Sequence, residues 1–225
     1  MERIHARTAA RPPPTGRSAA DFMPLRPTLK SMRAAAQSCR GCPLYARATQ
    51  AVFGEGAPRA RLVLVSEQPG NDEDLQGQPF VGPAGRLLDR ALADAGIARS
   101  DTYVTNVVKH FKWEARGKRR LHKKPGAREI GACLPWLRKE IELIHPGVVV
   151  LLGATAAQAL LGRDFRVTVN RGRPLRAEFA PHALATVHPA SLLRLPPQAD
   201  RDREIRRFVH DLQVAASLLK RSGPV

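Results

Sequence analysis

The residues most able to do chemistry lie together at Lys118-Arg119-Arg120-Leu121-His122-Lys123-Lys124-Pro125, where one histidine sits inside a dense run of cations. Imidazole is the side chain that most readily acts as nucleophile or proton carrier near neutral pH. Flanking lysines and arginines are what a loop needs to lie against phosphates. The pairing points to chemistry on a polyanion. By itself the stretch reads rather as a solvated basic loop, or a localisation-type patch, with an incidental histidine, so the rest of the chain has to decide.

A second set is Cys39-Arg40-Gly41-Cys42-Pro43, a C-x-x-C pair, with a third thiol at Cys133. Such a pair serves zinc, an iron–sulfur centre or a redox dithiol. A redox dithiol needs no third cysteine, which favours metal. Three cysteines are an odd number and fit a disulfide framework poorly. A four-ligand site would need a histidine or carboxylate as well, and His110 is the best placed.

These residues need elements to position them. Arg61-Leu62-Val63-Leu64-Val65, Thr102 to Thr105, Gly147 to Leu152 and Ala183 to Val187 read as four short buried strands. Helical spacing predicts helices over Leu29 to Gln37, Ala84 to Ala95, Ala127 to Ile144, Thr155 to Leu161 and Asp202 to Leu219, with Pro135 able to kink the third. Strands alternating with helices predict a three-layer α/β/α sandwich around a mostly parallel four-stranded sheet. In such sheets ligands sit beyond the carboxyl ends of the strands. Glu67 and Gln68, Asn106, and His188 fall at three of those ends, which makes one pocket of separate polar residues.

Composition bounds the class. A chain of 225 residues, 43% hydrophobic and 25% charged, is enough for one globular domain. A net charge of +17 points to nucleic acid or another anionic surface as partner. Aromatics at 5% argue against a single-strand platform of many stacking rings. No apolar run reaches the roughly 20 residues of a membrane span. The start lacks a secretory signal, so a cytoplasmic or nucleoid-associated protein is expected. Residues 1 to about 27, rich in Arg, Ala and Pro, read as a basic tail ahead of a domain over 28–225. No partner face is marked, so a monomer is expected.

Several motifs in order carry a resemblance. Ser66-Glu67-Gln68-Pro69-Gly70, Pro79-Phe80-Val81-Gly82-Pro83-Ala84-Gly85, Thr105-Asn106-Val107-Val108-Lys109-His110, the Cys133-x-Pro-Trp-Leu helix and His188-Pro189-Ala190-Ser191-Leu192-Leu193-Arg194 together resemble the iron–sulfur branch of the uracil-DNA glycosylase superfamily. The Lys118 to Pro125 loop looks like the extra loop of its X-type members, which attach covalently to uracil-containing DNA. Ordinary members carry a fourth cysteine where His110 stands, and X-type members resemble this chain in having histidine there. The resemblance therefore implies Cys39, Cys42, His110 and Cys133 as ligands of a [4Fe–4S] cluster. Two departures are Ser66, where glycine is common, and Asn71, where the X-type commonly has an acidic residue.

Within that resemblance each residue has an expected task. A uracil flipped out of DNA needs an aromatic face, supplied by Phe80, and partners for its edge, supplied by Asn106 and Gln68. His188 would donate to uracil O2 as negative charge develops there. Glu67 would stabilise the sugar cation or orient a nucleophile. His122 would be that nucleophile, forming a bond to the anomeric carbon that persists. Ser191, Leu192 and Arg194 form an expected wedge and phosphate contact. Lys118, Arg119, Arg120, Lys123 and Lys124 would grip phosphates. The open alternatives are a conventional glycosylase that releases uracil by water attack, and a non-enzymatic zinc module that binds nucleic acid.

Overall fold

The computed structural model describes residues 17–196 and 199–221. Its elements in chain order are α1 (Leu29–Ala36), β1 (Glu55–Gly56), β2 (Leu62–Ser66), α2 (Asn71–Gln76), α3 (Pro83–Asp94), β3 (Thr102–Asn106), β4 (Trp113–Arg116), β5 (Arg119–His122), α4 (Ala127–Ile144), β6 (Val148–Leu152), α5 (Ala154–Leu161), α6 (Val167–Asn170), β7 (Pro174–Ala177), β8 (Ala180–Thr186), α7 (Pro189–Leu193) and α8 (Ala199–Arg221). The main sheet runs β1-β3-β2-β6-β8-β7.

The four strands expected from sequence form its parallel centre, β3-β2-β6-β8. β2, β3 and β6 are buried throughout and β8 over its last four residues, which is why β2 and β6 read as nearly unbroken apolar runs. Odd-numbered residues such as Val63, Val65, Val149 and Leu151 face one layer, built from α1, α4 and α5 around Met32, Trp136 and Leu137. Even-numbered residues such as Leu62, Leu64, Val104, Val150 and Leu184 face the other, where α3, α7 and α8 contribute Leu88, Leu92, Leu192, Phe208 and Leu212. The structure is thus the three-layer sandwich, with one correction to the sheet. It has six strands, because β1 and β7 pair antiparallel at the two edges. Neither edge carries the apolar run that marks a buried strand: β1 has two residues, and β7 is Pro-Leu-Arg-Ala.

Pro135 does not break α4, which continues through it from Ala127 to Ile144. Of the expected basic tail, residues 1–16 lie outside the described residues. Residues 17–27 do not behave as a tail: a 3-10 turn over Ala19–Phe22, capped by Ser18, packs Ala19 fully into the core beside α4. That packing accounts for Gly41 between the first two cysteines. A Cβ there would stand 2.6 Å from the Ser18 carbonyl carbon and 2.8 Å from the Ala19 nitrogen, so only glycine lets the two backbones meet. No helix among the described residues is long and apolar enough to cross a membrane.

Candidate active site at the carboxyl ends of the parallel strands

The chain leaves β2 for its neighbour β3 on one side and later returns to β6 on the other, so the strand order reverses beside β2. In open α/β sheets that reversal opens a crevice. Glu67 and Gln68 leave β2 there, Asn106 ends β3, and His188 follows β8 as the N-cap of α7.

Phe80 reaches the same place from the turn before α3. It adopts φ 60°, a strained value for a bulky residue. Gly85 permits it, since a Cβ at that position would lie 1.6 Å from the Phe80 carbonyl oxygen. The Phe80 ring stacks against the His188 imidazole at 6.4 Å between centroids and 22° between planes. Asn106 is buried, and its backbone oxygen accepts from Lys109 Nζ at 2.8 Å. Among the described residues its side-chain amide meets no partner, so it is free for a ligand.

The His188 ring is pinned at both nitrogens. The Ala190 backbone N–H donates to Nδ1 at 3.0 Å, and Nε2 lies 2.7 Å from Ser66 Oγ. A neutral ring that accepts at Nδ1 carries its proton on Nε2. Burial first, then the nearby Arg194 and His122, hold its pKa down to about 4. His188 is therefore a neutral donor at physiological pH.

The basic stretch is ordered rather than loose. β4 and β5 form a hairpin joined at Gly117-Lys118, and Trp113 pairs with His122 in register. His122 Nε2 lies 3.4 Å from Glu67 Oε1, and the His122 side chain is 52% exposed, open to a substrate. Glu67 is itself oriented, because Thr155 Oγ1 at the start of α5 donates to its Oε2 at 2.5 Å. Nothing in the pattern around Thr155 marks it as part of a site; only the sheet brings it to Glu67.

Three expected DNA or base contacts are placed differently. Gln68 spends its amide on the hairpin: Nε2 donates to the backbone oxygens of Lys112 and Lys123 at 3.3 and 3.0 Å, and Oε1 accepts from Lys112 N at 3.1 Å. It clamps the hairpin, leaving its backbone rather than its side chain for a ligand. Arg120 folds inward instead of toward solvent. Its Nη1 lies 2.6 Å from Asp74 Oδ2, its Nε donates to Asn71 Oδ1 at 2.8 Å, and its guanidinium lies over the Phe111 and Trp113 rings. Asp74 is fully buried and also accepts from Thr49. Leu192 is 2% exposed within the core, whereas Leu193 beside it is 37% exposed, so Leu193 is the side chain available as a wedge. Lys118, Arg119, Lys123, Lys124 and Arg194 are exposed as expected. Lys123 also pairs with Glu114 at 2.8 Å. Ser191 Oγ donates to the His188 carbonyl at 2.6 Å, closing the first turn of α7.

This division predicts two kinds of behaviour. Lys118→Ala or Lys124→Ala should reduce the salt slope of DNA binding by roughly 0.7–0.9 each, with fold stability unchanged. Arg120→Ala should leave the salt slope unchanged but destabilise the protein by about 3 kcal/mol, since it leaves the buried Asp74 carboxylate unpaired. Salt-titrated binding and thermal unfolding of the three variants check both.

Cys39, Cys133 and His110 are buried, and Cys42 is partly so. Burial first, then the charge of neighbouring cysteines, raises the pKa of Cys42 and of Cys133: Cys39 acts on Cys42, and Cys42 and Cys39 act on Cys133. Two sulfurs already accept N–H groups: Cys133 Sγ from Lys109 N at 3.2 Å and Cys39 Sγ from Trp136 Nε1 at 3.4 Å. Burial pushes the Cys133 thiol up to about 12 and the His110 imidazole down to about 4. As they stand among the described residues, no group of three or more His, Cys, Asp or Glu side chains is arranged to hold a metal ion.

The strand ends thus bring Glu67, Asn106 and His188 together with the Phe80 ring and the cationic hairpin. The family model of the uracil DNA glycosylase superfamily matches residues 53–213. The chain is 39% identical over 189 residues to the Type-4 uracil-DNA glycosylase of Thermotoga maritima, covering 83% of this chain and 92% of that one. It is 39% identical over 167 residues to the Type-4 uracil-DNA glycosylase of Archaeoglobus fulgidus, covering 71% and 80%. A third, from Pyrobaculum aerophilum, is 35% identical over 177 residues, 75% of this chain and 86% of its own. The chain belongs to the uracil DNA glycosylase superfamily.

Proposed function

We propose that the protein is a uracil-DNA glycosylase that excises uracil and remains bonded to the abasic sugar through His122. The excision half rests on the family and on the pocket formed by Phe80, Asn106 and His188. The bonding half rests on one observation above all: the imidazole of His122 is exposed and held 3.4 Å from a carboxylate that Thr155 fixes in place.

A flipped uracil stacks on Phe80 and pairs its edge with the free amide of Asn106. As the C1′–N1 bond breaks, its electron pair leaves with the base, and the neutral donor at His188 stabilises the charge that gathers on O2. The sugar gains cationic character, which the Glu67 carboxylate offsets. The lone pair of one His122 ring nitrogen then forms a bond to C1′. The proton on the other nitrogen passes to Glu67, so a neutral alkylated imidazole and a uracil anion result. An uncharged imidazole on C1′ is a poor leaving group, and the bond persists. Lys118, Arg119, Lys123, Lys124 and Arg194 supply phosphate contacts, and Leu193 is the candidate to fill the vacated stack. A conventional release of uracil by water attack uses the same pocket without His122, and the adduct separates the two.

Cys39, Cys42, Cys133 and His110 are the residues that would hold a [4Fe–4S] cluster. The N–H groups already aimed at two sulfurs suit thiolate ligands, and a cationic iron core would offset the burial that otherwise keeps Cys42 and Cys133 protonated. Its contribution would be to tie the N-terminal segment, the residues after β3 and α4 into one unit. Purified protein should be brown, with iron and sulfide in equal amounts. A colourless zinc protein would support the nucleic-acid-binding module instead.

The pH dependence follows from His188. Its pKa is depressed, so the neutral ring, held by the Ala190 N–H at Nδ1, persists as pH falls below the usual histidine range; protonation near 4 puts a proton on Nδ1 and removes the acceptor that orients the ring. In His122→Ala, where the other imidazole of the site cannot contribute, the single-turnover rate of uracil release should show its low-pH limb near 4. A limb centred on the ordinary value of about 6.5 would contradict this role.

A further inference from the structure

We propose that Ser66 is a further catalytic residue of the base pocket, its hydroxyl accepting the one ring proton of His188 and presenting its own proton to the O2 carbonyl of the bound base. The proposal rests on the reading of the site as a uracil-excision pocket and adds a member to it.

The position follows from the sheet. Ser66 ends β2 and pairs in parallel register with Asn106 at the end of β3, so the two side chains lie in one row on one face. That face is the layer of Phe80 and α7. Ser66 thus stands between the amide that reads the edge of the base and the histidine assigned to its carbonyl. It is only 2% exposed, at the floor of the pocket, where water competes little for its hydrogen bonds.

The direction of the hydrogen bonds follows from His188. The Ala190 N–H occupies Nδ1, so the neutral ring has a single proton, on Nε2, and it points at Ser66 Oγ 2.7 Å away. A ring that has given its only proton to Ser66 cannot also give it fully to a base. A hydroxyl, however, accepts and donates at once. Ser66 Oγ accepts from the ring, and among the described residues its own proton meets no acceptor. An unspent donor at the pocket floor, polarised by the N–H behind it, suits a carbonyl gathering negative charge. The relay transfers no proton; it aligns two dipoles toward the oxygen.

The test is the single-turnover rate of base release by wild type, Ser66→Ala, Ser66→Thr and His188→Ala. Each is measured on an oligonucleotide carrying uracil and on one carrying 2-thiouracil, whose sulfur is a weak acceptor. Ser66→Ala should release uracil about 10²-fold more slowly, the loss expected of one transition-state donor. Ser66→Thr, which keeps a hydroxyl, should stay within about 10-fold of wild type. The thio substitution should slow wild type strongly and Ser66→Ala little further, a response that a merely structural serine would not produce. Release from Ser66→Ala at or above the wild-type rate would overturn the proposal, since the hydroxyl would then only park the proton. An equal thio penalty in wild type and Ser66→Ala would overturn it as well. If His188→Ala is slow while Ser66→Ala is not, only the relay fails; if wild type releases no uracil, the reading of the pocket fails with it.

Discussion

Replacing His122 with alanine should abolish the adduct between protein and uracil-containing DNA that survives heat and detergent. It should leave the fold intact, because the side chain is 52% exposed and meets the buried Phe111 ring only in a tilted contact at 6.1 Å between centroids. The expected change is all or none in the adduct, while uracil release falls by less. Phe80, Asn106 and His188 remain in place, and water can take the position of the ring. Glu67→Gln should behave differently. It keeps the shape and removes the acceptor for the imidazole proton, so the adduct should form slowly, by about 10²-fold or more, as losses of positioned proton acceptors do. Denaturing gels over a time course, with uracil release followed in parallel, separate the two. An undiminished adduct in His122→Ala would remove this histidine from the chemistry.

The second large effect concerns the fold beneath the site. Lys109 and Glu140 are both fully buried, and Lys109 Nζ lies 2.5 Å from Glu140 Oε2. Glu140 also accepts from Gly54 N at 3.1 Å, Tyr103 Oη at 2.8 Å and Thr105 Oγ1 at 3.0 Å. Burial and the adjoining carboxylate hold the Tyr103 phenol far above its usual range, so it stays protonated and donates. This hub joins β3, the segment entering β1, and α4. It abuts the cysteines, because the Lys109 backbone N–H is the donor to Cys133 Sγ. Glu140→Ala would leave the Lys109 ammonium buried without a counter-charge and the Gly54 and Tyr103 donors without this acceptor, at a cost of about 3–5 kcal/mol. For a domain of this size that is a fall in Tm of roughly 6–20 °C. Lys109→Met combined with Glu140→Leu should cost less than the two single changes added together, since no lone charge is then buried. Thermal unfolding of the three variants checks both statements. A loss below about 1 kcal/mol in Glu140→Ala would mean that the pair contributes little.

The sandwich was legible because its central strands β2 and β6 are buried on both faces, and runs such as Leu62-Val63-Leu64-Val65 and Val148-Val149-Val150-Leu151 have no other reading. The edges were not, since a two-residue strand at Glu55–Gly56 is made by pairing and leaves no periodicity. The site was half visible. Glu67, Asn106 and His188 lie at strand ends, so the strand pattern alone converged them. Thr155, Asp74 and the inward turn of Arg120 were hidden, because each depends on a contact between residues 46 or more apart in the chain. The cationic run also misled in one respect. Five like charges in eight residues look equivalent in sequence, yet β5 alternates its faces, and the alternation turns Arg120 back onto Asp74 while Arg119 stays in solvent. In the Leu192-Leu193 pair the geometry of one helical turn likewise decides which side chain is buried, and the sequence carries no mark of it.

The central claim is a bond from one side chain to one sugar carbon, and peptide mapping tests it most directly. Wild-type protein incubated with a uracil oligonucleotide, denatured and digested with protease and nuclease, should yield one modified peptide. Fragmentation should place a deoxyribose remnant on His122, with free uracil recovered in equal amount. Uracil released without any modified peptide, or a remnant mapped to another residue, would contradict the account.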